Sequence, residues 1–188
     1  MTNDQLASDA EIAELTHTIA EDEHGDEAAV SALLGRFPND PRLHFMLGSI
    51  LAGKRRPIEA HQAMGRALEL APGFALARYQ LGFFELTSGE PERALSTWGP
   101  LLAAGKDDYL RLFVEGMTHL IRDEFAAAIE RFQAGMQRNR DNAPMNRDIE
   151  LLIAECRKLE RAAATADADE EVSATALLLG RAGPRSLQ

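Results

Sequence analysis

The residues that could do chemistry are few and dispersed along the chain. The five histidines are His17, His24, His44, His61 and His119. Of these, His17 and His24, with Glu21 between them, have spacings that could share one helix face and bind a metal ion weakly. Gly25 follows directly, however, and is expected to end that helix. We therefore predict no metal site, and we interpret His44 and His119 as packing residues.

No combination of residues indicates a catalytic centre. The sequence contains no nucleophile–base motif, no phosphate-binding glycine loop and no CxxC pair. Cys156 falls on the apolar stripe of a predicted helix and is interpreted as a core residue. The acidic pairs Asp107–Asp108 and Asp123–Glu124 lie at predicted helix starts, where capping explains them. We expect neither enzymatic activity nor a cofactor.

Charge and composition narrow the classes of function further. The 188 residues are 45% apolar and carry a net charge of −10. Residues 1–35 hold nine acids and no Lys or Arg, so the rest of the chain holds 21 acids against 20 bases. A chain without a basic stripe is a poor candidate for nucleic-acid binding. The acidic end could steer a basic partner, but a solvated terminal cap is the favoured interpretation.

The sequence also predicts where the protein resides. No stretch reaches the roughly 18 apolar residues that a membrane span needs, so no membrane insertion is expected. The first residues lack the basic and apolar regions of a signal peptide. A single cysteine fits a reducing compartment. We expect a cytoplasmic protein.

A single repeat interval governs how these side chains must be positioned. Three residue classes recur at exactly the same spacing: Gly48, Gly82 and Gly116; Ala60, Ala94 and Ala128; and Met64, Trp98 and Phe132. Repeat units of about 34 residues, as here, are typical of stacked helical hairpins. The interval therefore predicts an all-α array, in which each hairpin buries its apolar face against its neighbours.

The best-preserved repeat is the stretch from Pro41 to Gly73. Its pattern residues are Leu47, Gly48, Leu51, Ala60, Met64, Ala67 and Pro72. This pattern resembles the tetratricopeptide repeat, in which a Leu-Gly pair on one helix meets small and aromatic residues on the next. Units at residues 75–108 and 109–142 keep most of it, and a degenerate unit at 7–40 replaces the Leu-Gly pair with Ala13 and Glu14. The resemblance implies a right-handed superhelical array of antiparallel hairpins.

The repeat pattern predicts that the chain is divided into four segments. Residues 1–40 form an acidic degenerate repeat, 41–142 three repeat units, 143–164 a closing helix, and 165–188 a flexible tail with a short apolar segment. Within the third unit, Asp123 is expected to cap a helix. In the second, Pro100 is expected to kink or break a helix after Trp98.

The first helix of each repeat is apolar on the side that the repeat pattern does not require. The residues predicted to line a binding groove there are Phe45, Met46, Ser49, Tyr79, Gln80, Phe83, Phe113, Val114 and Met117. In the family that the repeats resemble, this side lines a concave groove that holds ligands. Stacking against neighbouring helices is the alternative way to cover it.

The predicted function is a protein-interaction module. The groove positions lack the cations with which some family members bind a C-terminal carboxylate, so we expect a partner protein or peptide with hydrophobic anchors. The chain loosely resembles the small acidic repeat chaperones of bacterial secretion systems. The alternative is a scaffold subunit that uses the same face for stable oligomerisation, and the oligomeric state is left open. Leu177, Leu178 and Leu179 of the tail are predicted to dock on the array and compete with the ligand.

Overall fold

A computed structural model describes residues 5–21 and 26–165, and within these residues the chain is all-helical. The helices are α1 Asp9–Glu21, α2 Asp26–Arg36, α3 Pro41–Gly53, α4 Pro57–Leu70, α5 Ala75–Thr87, α6 Pro91–Leu102, α7 Tyr109–Ile121, α8 Phe125–Arg138 and α9 Ala143–Thr165. The chain divides into two compact units, Met1–Leu81 and Gly82–Gln188, referred to below as the N-terminal and C-terminal units. No described helix combines the length and apolar content required to cross a bilayer.

Side-chain caps mark the starts of four helices, whereas α4, α6 and α8 begin without a side-chain cap. At α1, the amide and hydroxyl of Ser8 donate to the carboxylate of Glu11, and the Glu11 amide donates back to the Ser8 hydroxyl. Asp40 and Asp108 accept backbone N–H bonds at the starts of α3 and α7. Asn142 accepts from the amide of Met145 in the first turn of α9. These starts agree with the sequence prediction.

One local prediction was wrong, and another was wrong as far as it expected a helix break. Helix α6 continues through Pro100 and ends at Leu102, so it does not break after Trp98. Only the final turn follows Pro100, where few backbone hydrogen bonds remain to be disrupted. Asp123 does not cap α8, because its φ of 59° places it in the left-handed region before the N-cap residue Glu124.

The repeat interval appears in the structure as a recurring close approach of paired helices. A Cβ atom on Gly48 would lie 2.6 Å from Met64 Cγ, and one on Gly82 would lie 2.2 Å from Trp98 Nε1. A Cβ on Gly116 would lie 2.4 Å from Phe132 Cε1. In these three hairpins the second helix places a fully buried large side chain where only glycine leaves room. The glycine is therefore a packing requirement of these three hairpins.

The hairpin turns and the junctions between hairpins repeat as well. Arg55, Gly89 and Asp123 are separated by the repeat interval, and all three have positive φ, of 58°, 84° and 59°. His44 Nε2 donates to the carbonyl of Pro38 at 2.8 Å, and one interval later Arg78 Nη2 donates to the carbonyl of Pro72 at the same distance. Turn and junction geometry are thus common to successive repeats.

Candidate protein-interaction surface

The nine predicted groove residues occupy three equivalent positions in three repeats. The first position holds Phe45, Tyr79 and Phe113, the second Met46, Gln80 and Val114, and the third Ser49, Phe83 and Met117, with the repeat interval between successive members. Their exposure is unequal. Phe45, Met46, Ser49, Gln80 and Phe83 are half-buried, whereas the other four are buried.

In the C-terminal unit, the predicted residues on α7 belong to the core. Phe113, Val114 and Met117 have no exposed surface. The Phe113 ring packs over Gly135 of α8, where a Cβ would lie 2.4 Å from the ring, and it makes an edge contact with Tyr109 at 5.8 Å. Helix α7 is therefore covered on the side that the sequence suggested was free, and these three side chains are not available to a ligand in this structure.

In the N-terminal unit, part of the predicted face of α3 is accessible. Phe45 lies against Phe74, which immediately precedes α5, with ring centroids 5.3 Å apart and planes tilted by 58°. Ser49 lies one turn along α3 from Phe45, and its hydroxyl donates to the Phe45 carbonyl at 3.1 Å. All three side chains are half-buried. We call this set, Phe45, Ser49 and Phe74, the α3 surface.

Two other predicted residues of this unit have different roles. Met46 packs against the core of the first hairpin, where it joins Leu43 and Val30. Tyr79 on α5 is buried with 5% of its surface exposed, and Gln80 beside it is half-buried. Sequence reasoning included Met46 because it lies on the side of α3 that the repeat pattern does not require, and it omitted Phe74, which lies outside the helix.

Among the described residues, four of the nine acids of residues 1–35 form ion pairs with bases of the same unit: Asp9, Glu11, Asp26 and Glu27. Asp40 is fully buried and accepts hydrogen bonds from the Ala7 amide at 3.0 Å and from the amide and guanidinium of Arg42. Arg42 also reaches Asp9 at 2.8 Å and donates to the carbonyl of Ala7. Burial alone would raise the pKa of Asp40, but the bonds from Arg42 and Ala7 outweigh it and hold that pKa below its usual value. This network attaches the start of α1 to the start of α3.

A second group of ion pairs joins α2 to the α3–α4 turn. Lys54 Nζ lies 2.7 Å from Asp26 and 3.2 Å from Glu27, and Arg56 contacts Glu27 at 2.6 Å and Glu59 at 2.5 Å. The hydrogen bonds from Arg56 and then Lys54 lower the pKa of Glu27, and the bond to Asp26 raises the pKa of Lys54. The ion-paired acids of this segment therefore stabilise the position of the first hairpin.

The candidate chemical groups of the sequence are dispersed over several helices wherever the structure describes them. Among the described residues, no three His, Cys, Asp or Glu side chains are placed to hold a metal ion. His24 lies outside the described residues, as do Leu177, Leu178 and Leu179 of the tail. His119 Nδ1 lies 2.5 Å from Glu124. Cys156 is fully buried in α9, and burial raises its pKa to about 11, so its thiol is a poor nucleophile.

Comparison with known proteins adds no family to this description. No family model matches the chain, and no curated protein matches it significantly.

Proposed function

We propose that the protein is an interaction module, an adaptor or chaperone, that binds an apolar segment of a partner protein on the α3 surface. The observation that supports this most directly is the contact of Phe45 with Phe74, in which both rings remain partly exposed. The other side of α3 is already covered, since Gly48 packs against Met64 of α4 and Leu51 is buried. An aromatic pair that stays partly exposed is suited to anchor a partner.

Polar side chains near the rings of Phe45 and Phe74 are suited to hydrogen-bond with the backbone of a bound segment. Ser49 adds a hydroxyl on α3, and the half-buried Gln80 adds a side-chain amide on α5. A partner segment would place apolar side chains on the two rings and hydrogen-bond its backbone to such groups. Binding of this kind needs no reaction, and the proposal assigns none. The arrangement of the repeats as a tetratricopeptide-like superhelix belongs to the same proposal.

The test is a selection of phage-displayed peptides on the full chain, followed by affinity measurements on variants. We expect enriched peptides to carry apolar anchors and to bind Phe45→Ser at least about tenfold more weakly, since central aromatic anchors contribute roughly 2 kcal/mol or more. Ile58→Ser is the matched control, because Ile58 lies on α4 of the same unit with 74% of its surface exposed.

Two results would contradict the proposal. Peptides without apolar anchors, or equal affinity for the two variants, would exclude the α3 surface as the binding site. A stable stoichiometric oligomer of the chain alone, dissociated by Phe45→Ser and unaffected by Ile58→Ser, would instead favour the scaffold function. Light scattering coupled to size-exclusion chromatography distinguishes that outcome.

A further inference from the structure

A cleft of about 250 Å³ lies between α1 and α2, within the N-terminal unit. It is lined by Glu11, Glu14, Leu15, Thr18, Ala29, Ala32, Leu33 and Arg36. None of these residues belongs to the α3 surface. The cleft and what it binds can therefore be considered independently of the proposed function.

The cleft has a cause in the sequence. Glu14 precedes Gly48 by one repeat interval, and Val30 precedes Met64 by the same interval, so the glycine position of this hairpin holds a glutamate. At Gly48 the absence of a side chain lets Met64 pack directly on the backbone. A glutamate carboxylate cannot be enclosed in that way without a large desolvation penalty. The first hairpin therefore remains open where the next one is closed.

The lining of the cleft combines an apolar floor with an acidic edge. Leu15 is 6% exposed and Leu33 is half-buried, and Ala29 and Ala32 add short apolar side chains. At one end, Glu11 is paired with Arg36 at 2.8 Å. Glu14, by contrast, is exposed and forms no ion pair with any described residue.

We propose that this cleft docks a lysine or arginine on an amphipathic segment of a partner protein. The alkyl stem of the partner's side chain would lie along Leu15 and Leu33 while its cation pairs with Glu14. Small residues at Ala29 and Ala32 leave space for that stem. Among the charged lining residues, Glu11 and Arg36 balance each other and Glu14 remains, so the lining has a net negative charge that favours a basic partner and disfavours an acidic one.

The probe for this test is a short fluorescein-labelled peptide of Leu and Lys, patterned as an amphipathic helix of four turns. A peptide with Glu in place of every Lys serves as the control ligand. The key variant is Ala32→Lys, which introduces a cation from within the cleft and so occupies the position proposed for the partner's side chain. Ala28→Lys is the matched variant, because Ala28 lies on the same helix and does not line the cleft.

We expect the Lys peptide to bind the full chain and the Glu peptide to bind at least about tenfold more weakly. Ala32→Lys should weaken binding of the Lys peptide by at least about tenfold, and Ala28→Lys by no more than about twofold. Glu14→Gln should weaken it by about three- to fivefold, as expected for one exposed ion pair. Glu92→Gln, which removes an exposed acid in the C-terminal unit, should leave it unchanged.

Equal losses in Ala32→Lys and Ala28→Lys would overturn the proposal, since they would show a general charge effect. An affinity for the Lys peptide that is unchanged by Glu14→Gln would overturn it as well, as would the absence of any binding of that peptide. Circular dichroism of each variant establishes that the helices are intact. The loss caused by Ala32→Lys should persist when Phe45→Ser is already present, so binding at the cleft is distinguished from binding at the α3 surface.

Discussion

Replacement of Gly82 by alanine should destabilise the C-terminal unit strongly. The added Cβ would lie 2.2 Å from Nε1, 2.5 Å from Cε2 and 2.6 Å from Cδ1 of Trp98. The indole is fully buried and cannot move aside without displacing its own neighbours. Overpacking of a core typically costs about 1–3 kcal/mol, whereas alanine in a helix gains about 0.5–1 kcal/mol over glycine. Because the clash involves a rigid ring, we expect a net loss of about 2 kcal/mol in the free energy of unfolding, toward the upper end of that range.

The control for this substitution is Gly65→Ala in α4. A Cβ at Gly65 would meet nothing within 4 Å, so this variant should gain the helix-propensity term of about 0.5–1 kcal/mol. The stability of Gly48→Ala should lie between those of Gly82→Ala and Gly65→Ala, because the atom nearest to the added Cβ is on the flexible side chain of Met64.

Urea denaturation followed by circular dichroism gives the stability of each variant. Trp98 is the single tryptophan, so its fluorescence also reports directly on the packing beside Gly82. A Gly82→Ala variant as stable as the parent, with unchanged emission, would refute the close approach of α5 and α6.

Three further predictions concern the N-terminal network, the turns and the thiol. Because the pKa of Asp40 is lowered from its unfolded value of about 3.9, the stability it contributes is present above pH 4 and lost as pH falls through the folded pKa. Asp40→Asn should therefore lower the free energy of unfolding by about 2 kcal/mol at pH 7. It should also flatten the decline of the urea midpoint between pH 4 and pH 2. An unchanged midpoint at pH 7 would contradict this prediction. Arg55→Gly should stabilise the protein by about 0.5–1 kcal/mol in thermal denaturation, because Arg55 has a positive φ. Arg55→Ala should give no such gain. Equal gains in the two variants would exclude backbone strain as the cause. Cys156 should react with a thiol reagent at pH 8 only as fast as its helix opens, and immediate stoichiometric labelling of the native protein would refute its burial.

The sequence predicted the features that arise within one hairpin. Gly82 and Trp98 lie less than half a repeat apart, and the combination of a glycine with a bulky side chain at a fixed spacing specifies their contact before any tertiary detail is known. Helix starts could also be predicted from the sequence, because residues such as Ser8 and Glu11 satisfy backbone donors within one turn. Asp123 was misassigned although its turn equivalent Gly89 indicated a left-handed residue at that position.

The accessible surface could not be derived in the same way. Helix α7 is apolar on nearly all sides, and hydropathy does not show which sides are covered. The signal available for Phe113 was Gly135, which stands where the repeat pattern has a second alanine and provides the space for the ring. The acidic N-terminus raised the same difficulty, because Glu27 meets Arg56 from a distant part of the chain and no local pattern records that pairing.

The measurement that tests the proposed function most directly is site-specific photocrosslinking in cells that naturally produce the protein. The photoreactive residue p-benzoylphenylalanine would replace Phe45 on the α3 surface in one variant and Ile58 on α4 in the other. We predict discrete adducts with another polypeptide from position 45, weakened when Ser49→Arg is added, and none from position 58. Absence of adducts at position 45, or the same adducts from both positions, would contradict the assignment of the α3 surface as the docking site.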